Sequence, residues 1–386
     1  MFGKFKKRYI LYFSVSSILI NTIAILQYIG FNPFNMYQNG IGTHNVSFMA
    51  TIGNISFISA MFCILLTVSF MAYVFLEEKL KYKIIHLLSI FMGFFIFIII
   101  NVLSGRVAFL AVFALLIPFI ITNSKRLSRT IIAMSMILLG LLVNIIINPQ
   151  YHYDLRRLDL YFQFNKIALM FIIVIFVFWF LAYKLKRMEF DYSKNKKITY
   201  GIYIAMISIV VLILGCVYFI NFESGILYEV HELLHGNFDD DFGTYRVFLW
   251  KRTLKLFSEY PILGTGPDTF AVRFMDKYTQ DVMDIGELSI NDSAANVYLT
   301  MLINIGIVGL IAYLVFIILQ LIKGLKNKNE YSIILLITII CYLIQDCFNL
   351  WVVIVTPIFW VLMGIHYLSL NNNKMEGITN ERRGKE

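Results

Sequence analysis

Apolar residues run along this chain in long blocks, cut by short polar and basic interruptions. The blocks fall at 9–30, 50–76, 84–102, 107–123, 130–148, 163–183, 198–220, 298–322, 331–348 and 350–370. Most reach the ~18 residues that let a helix cross a bilayer. Within them apolar positions are continuous rather than alternating, which excludes a membrane β-barrel. With no water to bond free N–H and C=O groups, such runs must close their hydrogen bonds as helices. The pattern therefore predicts an all-α polytopic membrane protein with about ten transmembrane helices. Composition points the same way, since 59% of the 386 residues are hydrophobic, 15% are charged, and mean hydropathy is +0.74.

The interruptions differ in charge. MFGKFKKR, EEKLKYK, NSKRLSR, KLKRMEFDYSKNKK, KGLKNKNE and the C-terminal tail hold 23 of the 33 Lys and Arg residues, and all six fall on one side of the predicted membrane. By the positive-inside rule that side is the cytoplasm, with both termini in it. The net charge of +9 is then a topology signal and gives no nucleic-acid footprint. The first apolar block is long and lacks a small-residue cleavage site, so it reads as a retained helix. Cys63, Cys216, Cys341 and Cys347 fall within spans without CxxC spacing and read as packing residues. Asn54, Asn101, Asn304, Asp346 and Asn349 read as hydrogen-bond partners between helices.

One connection stands apart. Between the seventh and eighth spans lie residues 221–297, on the outer side, and a connection that long in a compact bundle is usually functional. After FDDDFG, Thr244 is placed to cap a helix on which Phe248, Leu249, Arg252 and Leu256 share one side. Pro261 limits that helix. Gly264, Gly266 and Pro267 then predict a turn and a second helix starting at Pro267. Asn291 or Asp292 is placed to cap the return into the eighth span. The chain thus divides into a membrane bundle at 1–220, an extracytoplasmic loop at 221–297, a second bundle at 298–370 and a cytoplasmic tail at 371–386.

Four motifs now stand in order: Ser104-Gly105-Arg106 at a membrane boundary, Arg246 to Trp250, Pro261 to Phe270, and Ala294 to Leu310. In that order and spacing the chain resembles the O-antigen ligase and polysaccharide polymerase family. TIGNISFISA and PIFWVLMGI add weaker agreement. The resemblance implies a GT-C-like membrane glycosyltransferase that uses no metal and no cofactor. Its donor would be a glycan on a polyprenyl diphosphate at the outer face of the bacterial cytoplasmic membrane. A hydroxyl of an acceptor glycan or lipid would attack the anomeric carbon, and the lipid diphosphate would leave.

The chemistry of the residues fits that implication. A departing diphosphate needs fixed positive charge, and guanidinium supplies planar donors that stay ionised in a low-dielectric site. Arg106 and Arg246 are the candidates, with Arg273 as a further diphosphate contact. Against this, Arg106 alone at a boundary is also what a snorkelling arginine or a partner of Asp239 to Asp241 looks like. By family motif Trp250, Asn296 and Tyr298 are candidate substrate-binding residues. The family typically carries a histidine, thought to activate the acceptor hydroxyl, where this chain has Ala295. His231, His235 and Asp292 are the candidate replacements; a strongly dissociative transition state needing no base and a loss of activity are the other readings. His231 to His235 also spells H-E-x-x-H, but the carboxylates Asp239 to Asp241 fall too near for a usual third zinc ligand. The competing classes are a transporter, disfavoured because no internal repeat is visible, and a non-catalytic glycan-binding membrane protein.

Overall fold

The computed structural model describes residues 5–31, 50–100, 102–151, 158–285, 292–327, 329–351 and 353–383; Asn101 and Asn291 lie outside them. The described residues form thirteen helices and no strand, one isolated bridge between Asn123 and Asp191 apart. Helices stand at each expected span: α1 (Arg8–Tyr28), α2 (Ile55–Phe75), α3 (Leu80–Ile100), α4 (Leu103–Ile121), α5 (Ser124–Tyr151), α6 (Leu158–Met188) and α7 (Lys196–Phe219). Three short helices follow, α8 (Ile226–Leu234), α9 (Phe242–Phe257) and α10 (Phe270–Asp284). The chain ends with α11 (Val297–Lys326), α12 (Glu330–Asp346) and α13 (Thr356–Arg383).

Eight of these helices are long and apolar enough to cross a membrane. The last two expected spans are present but short: α12 has 17 residues, about 25 Å, and the apolar part of α13 covers Thr356–Leu370. Helices shorter than the ~30 Å hydrocarbon layer are accommodated by local thinning of the bilayer. With this helical content the chain is a multi-pass α-helical membrane protein.

Two compact units make up the chain. The first holds residues 1–194, 320–345 and 352–386. Its centre is α2, of whose spanning window 83% is buried, because Ser59, Ala60, Ser69 and Ala72 let its neighbours approach closely. A buried chain of hydroxyls and an imidazole ties its helices together: Ser14 Oγ lies 2.7 Å from His86 Nδ1 and 2.8 Å from Ser69 Oγ, and Ser69 Oγ lies 2.8 Å from Ser89 Oγ. Asn54, expected between helices, instead caps α2 by accepting the N–H of Ser56 at 2.7 Å.

The second unit holds residues 195–319 and 346–351. α7 contributes a surface of exposed Ile and Val, with only 6% of its window buried, as a lipid-facing helix requires. The long connection has a core of its own. Phe248, Leu249 and Leu256 from α9, Phe270, Phe274, Tyr278 and Val282 from α10, and Ala294 and Ile303 pack together. Burying each phenylalanine contributes roughly 1.5–3 kcal/mol, enough to make this segment a folded body. The side of α9 predicted to be apolar is the side that is buried.

The eighth span departs from expectation. α11 is broken at Gly306, where φ is 66° and ψ is −174°, so the uninterrupted membrane-length stretch is Ile307–Lys326. That stretch is about 20 residues, or about 30 Å, and by itself matches the hydrocarbon thickness. The turn at residues 261–266 completes the broken helix. N–H groups of Thr265 and Gly266 donate to the carbonyls of Ile303 (2.8 Å) and Asn304 (3.0 Å). On the other side, N–H groups of Ile307 and Val308 donate to the carbonyls of Pro261 (3.0 Å) and Ile262 (3.3 Å). Both glycines at the crossing are obligatory: a Cβ on Gly264 would lie 2.4 Å from the Ile303 oxygen, and one on Gly306 would lie 2.2 Å from the Ile262 oxygen.

Candidate functional site

Arg246 opens the regular part of α9. Before it Gly243, Thr244 and Tyr245 take left-handed φ values of 62°, 56° and 61°. Thr244 therefore does not cap the helix as expected. Its hydroxyl donates to the Gly243 carbonyl at 2.5 Å and accepts from Arg246 at 2.8 Å. The left-handed turn is held from α8, where Glu229 accepts the Gly243 N–H at 3.3 Å. Arg246 in turn donates to the Gly243 carbonyl at 2.7 Å and to the Phe348 carbonyl at 3.4 Å. Its Nε is buried without a hydrogen-bond partner, and among the described residues no carboxylate pairs with it. Burial draws its pKa below the ordinary arginine value, yet a guanidinium stays charged. Arg246 is thus a half-buried cation solvated by carbonyl dipoles and the Thr244 hydroxyl, with no counter-ion among the described residues.

Further along the helix Arg252 is the reverse case. Its guanidinium bonds Asp240 at 2.8 Å and Asp281 at 2.7 Å and lies 3.6 Å from the Phe248 ring centre. Burial lowers its pKa, but the paired carboxylates outweigh that and leave it raised. Asp240 also takes Lys251 at 2.8 Å. Against its own partial burial, the two cations hold its carboxyl below the usual range.

Two segments meet beside Arg246. Trp250, one turn on, donates its indole N–H to the Ala294 carbonyl at 3.0 Å, with its ring 6.4 Å from that of Phe348. Asn296, not Asp292, caps α11: its Oδ1 accepts the Leu299 N–H at 3.0 Å while its amide nitrogen donates to the Cys347 carbonyl at 2.9 Å. Asn296 and Trp250 therefore hold the 294–296 and 347–348 segments in place. Ala295 lies between them with φ 48°. Tyr298 lies 6.5 Å from Tyr313, with the ring planes tilted by 47°. Arg273 is exposed, 5.8 Å over the Tyr260 ring. The helix expected from Pro267 begins instead at Phe270, because Asp268 takes a left-handed φ of 58° and Thr269 turns its hydroxyl back to the Gly266 carbonyl at 2.6 Å. Asp292 is exposed at the approach to α11.

His231 and His235 share one face of α8, ring centres 4.2 Å apart, and His235 stacks on Tyr218 at 4.2 Å. His231 Nδ1 donates to Glu232 at 3.0 Å and His235 Nδ1 donates to the His231 carbonyl at 2.8 Å. Each neutral ring then presents Nε2 as its basic nitrogen. The Glu232 carboxyl is held below its usual range by hydrogen bonds from Asn237 and His231. Among the described residues no three or more His, Cys, Asp or Glu side chains are grouped to hold a metal ion.

Arg106 belongs to the first unit. Ser104 and Gly105 turn inward, and a Cβ on Gly105 would meet Ser59 Oγ at 2.2 Å. Arg106, partly buried, donates to the Ile98 carbonyl at the end of α3 at 3.0 Å, and no described carboxylate pairs with it. Of the acidic partners considered for it, Asp239 to Asp241, Asp240 is held by Lys251 and Arg252.

Together these features define a multi-pass membrane protein whose long connection is a folded body carrying an uncompensated arginine. Residues 158–314 match the model of the O-antigen ligase family. No curated protein matches the chain. The matched segment includes Arg246, both α8 histidines, Asp292 and Asn296; Arg106 and residues 346–351 lie beyond it. The family supports a membrane glycan-processing function of the ligase or polymerase type.

Proposed function

We propose that the protein is a glycosyltransferase that transfers or polymerises a polyprenyl-diphosphate-linked oligosaccharide at the outer face of the bacterial cytoplasmic membrane. Both termini lie in the cytoplasm, and residues 221–297 form the extracytoplasmic catalytic body. The observation that carries this reading is the state of Arg246: a guanidinium left without a carboxylate while Arg252 on the same helix has two. A buried, unneutralised cation is costly unless an anion completes it. A diphosphate is such an anion. As the acceptor hydroxyl bonds to the anomeric carbon, the bond from that carbon to the diphosphate oxygen breaks and its electron pair leaves with the lipid. Arg246 meets that growing charge, with Arg273 as an outlying contact; Arg106 is a further candidate that rests on its sequence motif. The hydroxyl proton passes to Nε2 of His231 or His235 or to Asp292, because Ala295 offers no base. No metal or cofactor takes part.

Reconstitution with a synthetic polyprenyl-diphosphate oligosaccharide tests the reading. Chain growth from donor alone identifies a polymerase, and a single transfer to added acceptor identifies a ligase. Donor bound without turnover would make the protein a glycan-binding membrane protein, the reading that Ala295 favours. Orientation is tested separately by cysteines placed one at a time: those in 221–285 react with a membrane-impermeant thiol reagent from outside, and one in 189–195 does not. The reverse pattern sinks the lipid-diphosphate reading.

A further inference from the structure

We propose that the cavity at the head of α11 binds one neutral sugar ring of the acceptor glycan, an inference that rests on the transferase reading above. The cavity lies within the second unit, between the Pro267–Asp268 turn, the Asp292–Ser293 approach, the first part of α11 and the Leu350–Trp351 segment, and encloses about 370 Å³. That volume is at the small end of the ~300–1,000 Å³ typical of ligand pockets, the scale of a single ring rather than an oligosaccharide.

Its polar chemistry is rich in acceptors and holds no cation. The Thr300 hydroxyl is already used, donating to the Asn296 carbonyl at 2.9 Å and accepting the Ala294 N–H at 3.1 Å. The Ser293 hydroxyl accepts the Ala295 N–H at 3.3 Å. Beside the Ser293 O–H and the Asn304 amide N–H groups, the cavity holds acceptors: the Asp268 and Asp292 carboxylates, and Asn304 Oδ1, buried with no hydrogen-bond partner. A buried acceptor left unpaired costs ~1–3 kcal/mol, and a ligand rich in O–H donors relieves that cost. None of the lining residues is Lys, Arg or His, so a uronic acid or the diphosphate itself meets two carboxylates and no cation. Trp351, 38% exposed, adds a large flat ring, set by an edge contact with Tyr313 at 5.7 Å. Indole faces take up the apolar C–H face of a pyranose while the carboxylates take its hydroxyls.

The cavity also stands in a useful place. Its walls continue the same two segments, 292–297 and 348–351, that Trp250, Asn296 and Arg246 grip through their backbone carbonyls. Opposite preferences are thus built on one frame, an anion at Arg246 and a neutral polyol in the cavity.

The test uses full-length protein in nanodiscs and reads binding without turnover. Saturation-transfer NMR is recorded with free N-acetylglucosamine, glucose and galactose as neutral probes and glucuronic acid as the anionic one. Wild type is expected to give signal with at least one neutral sugar and none with glucuronic acid. Trp351→Ala and Asn304→Leu each weaken the neutral-sugar signal about fivefold. The Asp268→Asn, Asp292→Asn double variant admits glucuronic acid. A fluorescent polyprenyl diphosphate binds all variants that melt as wild type does. Neutral-sugar signal unchanged in the two well-folded cavity variants overturns the proposal, and so does glucuronic acid binding to wild type or no sugar binding at all. Sugar binding lost as expected in a protein that never turns over donor would instead remove the transferase reading and leave the cavity standing.

Discussion

Arg246 and Arg252 stand on one helix under two regimes. Arg252 is closed on itself by two carboxylates and an aromatic face, and it joins α9 to α10 by tying Asp240 to Asp281. Arg246 faces two main-chain carbonyls and the Thr244 hydroxyl, with no carboxylate among the described residues, and keeps an orphan Nε. Charge that is neutralised internally serves the fold, whereas charge held only by dipoles is available to a ligand. Sequence spacing could not separate them, since both are arginines on an amphipathic helix.

The sharpest way to break this contrast is to remove each charge. Arg246→Ala should lower transfer by on the order of 10²–10³-fold, the loss seen when one preorganised donor to a developing anion is deleted. Lysine should restore only part, lacking the planar fork, and thermal stability should hardly change. Arg106→Ala, with one carbonyl partner and no described carboxylate, should fall in the same range. Full transfer by the Arg106→Ala, Arg246→Ala double variant would end the proposed diphosphate site.

A second measurement concerns the helix beside Arg246. If His231 or His235 takes the acceptor proton, the double alanine variant should lose on the order of 10²-fold in turnover while binding a fluorescent lipid diphosphate as before. Unimpaired turnover removes both from the mechanism and leaves Asp292 as the candidate.

Arg252→Ala should show the opposite profile, with transfer kept and stability lowered by about 0.5–1 kcal/mol, because its partners are partly exposed to solvent. The smallest effect is its pH dependence. Asp240 has a folded pKa below its unfolded value of about 3.9, so its stabilisation is complete above that value and is lost as pH falls through the folded pKa. The stability gap between wild type and Arg252→Ala should therefore close only in acid, below about pH 4. A gap that does not narrow at all as acid is added would mean that the aromatic contact, not the carboxylates, holds Arg252.

Hydropathy made the membrane helices legible because each is a long uninterrupted apolar run, and helical spacing made the buried face of α9 legible through Phe248, Leu249 and Leu256. Backbone geometry was not. Nothing in NIGIVGL distinguishes a broken helix from a straight one, since glycine is tolerated inside membrane helices and a hydropathy window does not sense φ. Thr244 has the chemistry of a cap, but its left-handed conformation spends the hydroxyl elsewhere. Asn296 was singled out for ligand binding by its motif, and the geometry shows it holding two segments together. The cavity was illegible because Asp268, Asp292, Asn304 and Trp351 come from four stretches that only the fold assembles, and Trp351 had been counted within the last span.

The join between the 261–266 turn and the break in α11 is made chiefly of main-chain amides and carbonyls, to which the Thr265 hydroxyl adds one bond to the Ile303 carbonyl at 3.2 Å, so few side chains have to be kept for it to survive. Mutational constraint is concentrated on two Cα atoms, Gly264 and Gly306, where any added carbon strikes a carbonyl. Side chains around them are freer to vary, so the surfaces of this body can change without loosening the join on which they are mounted. A fold arranged this way separates what must stay fixed from what selection can retune.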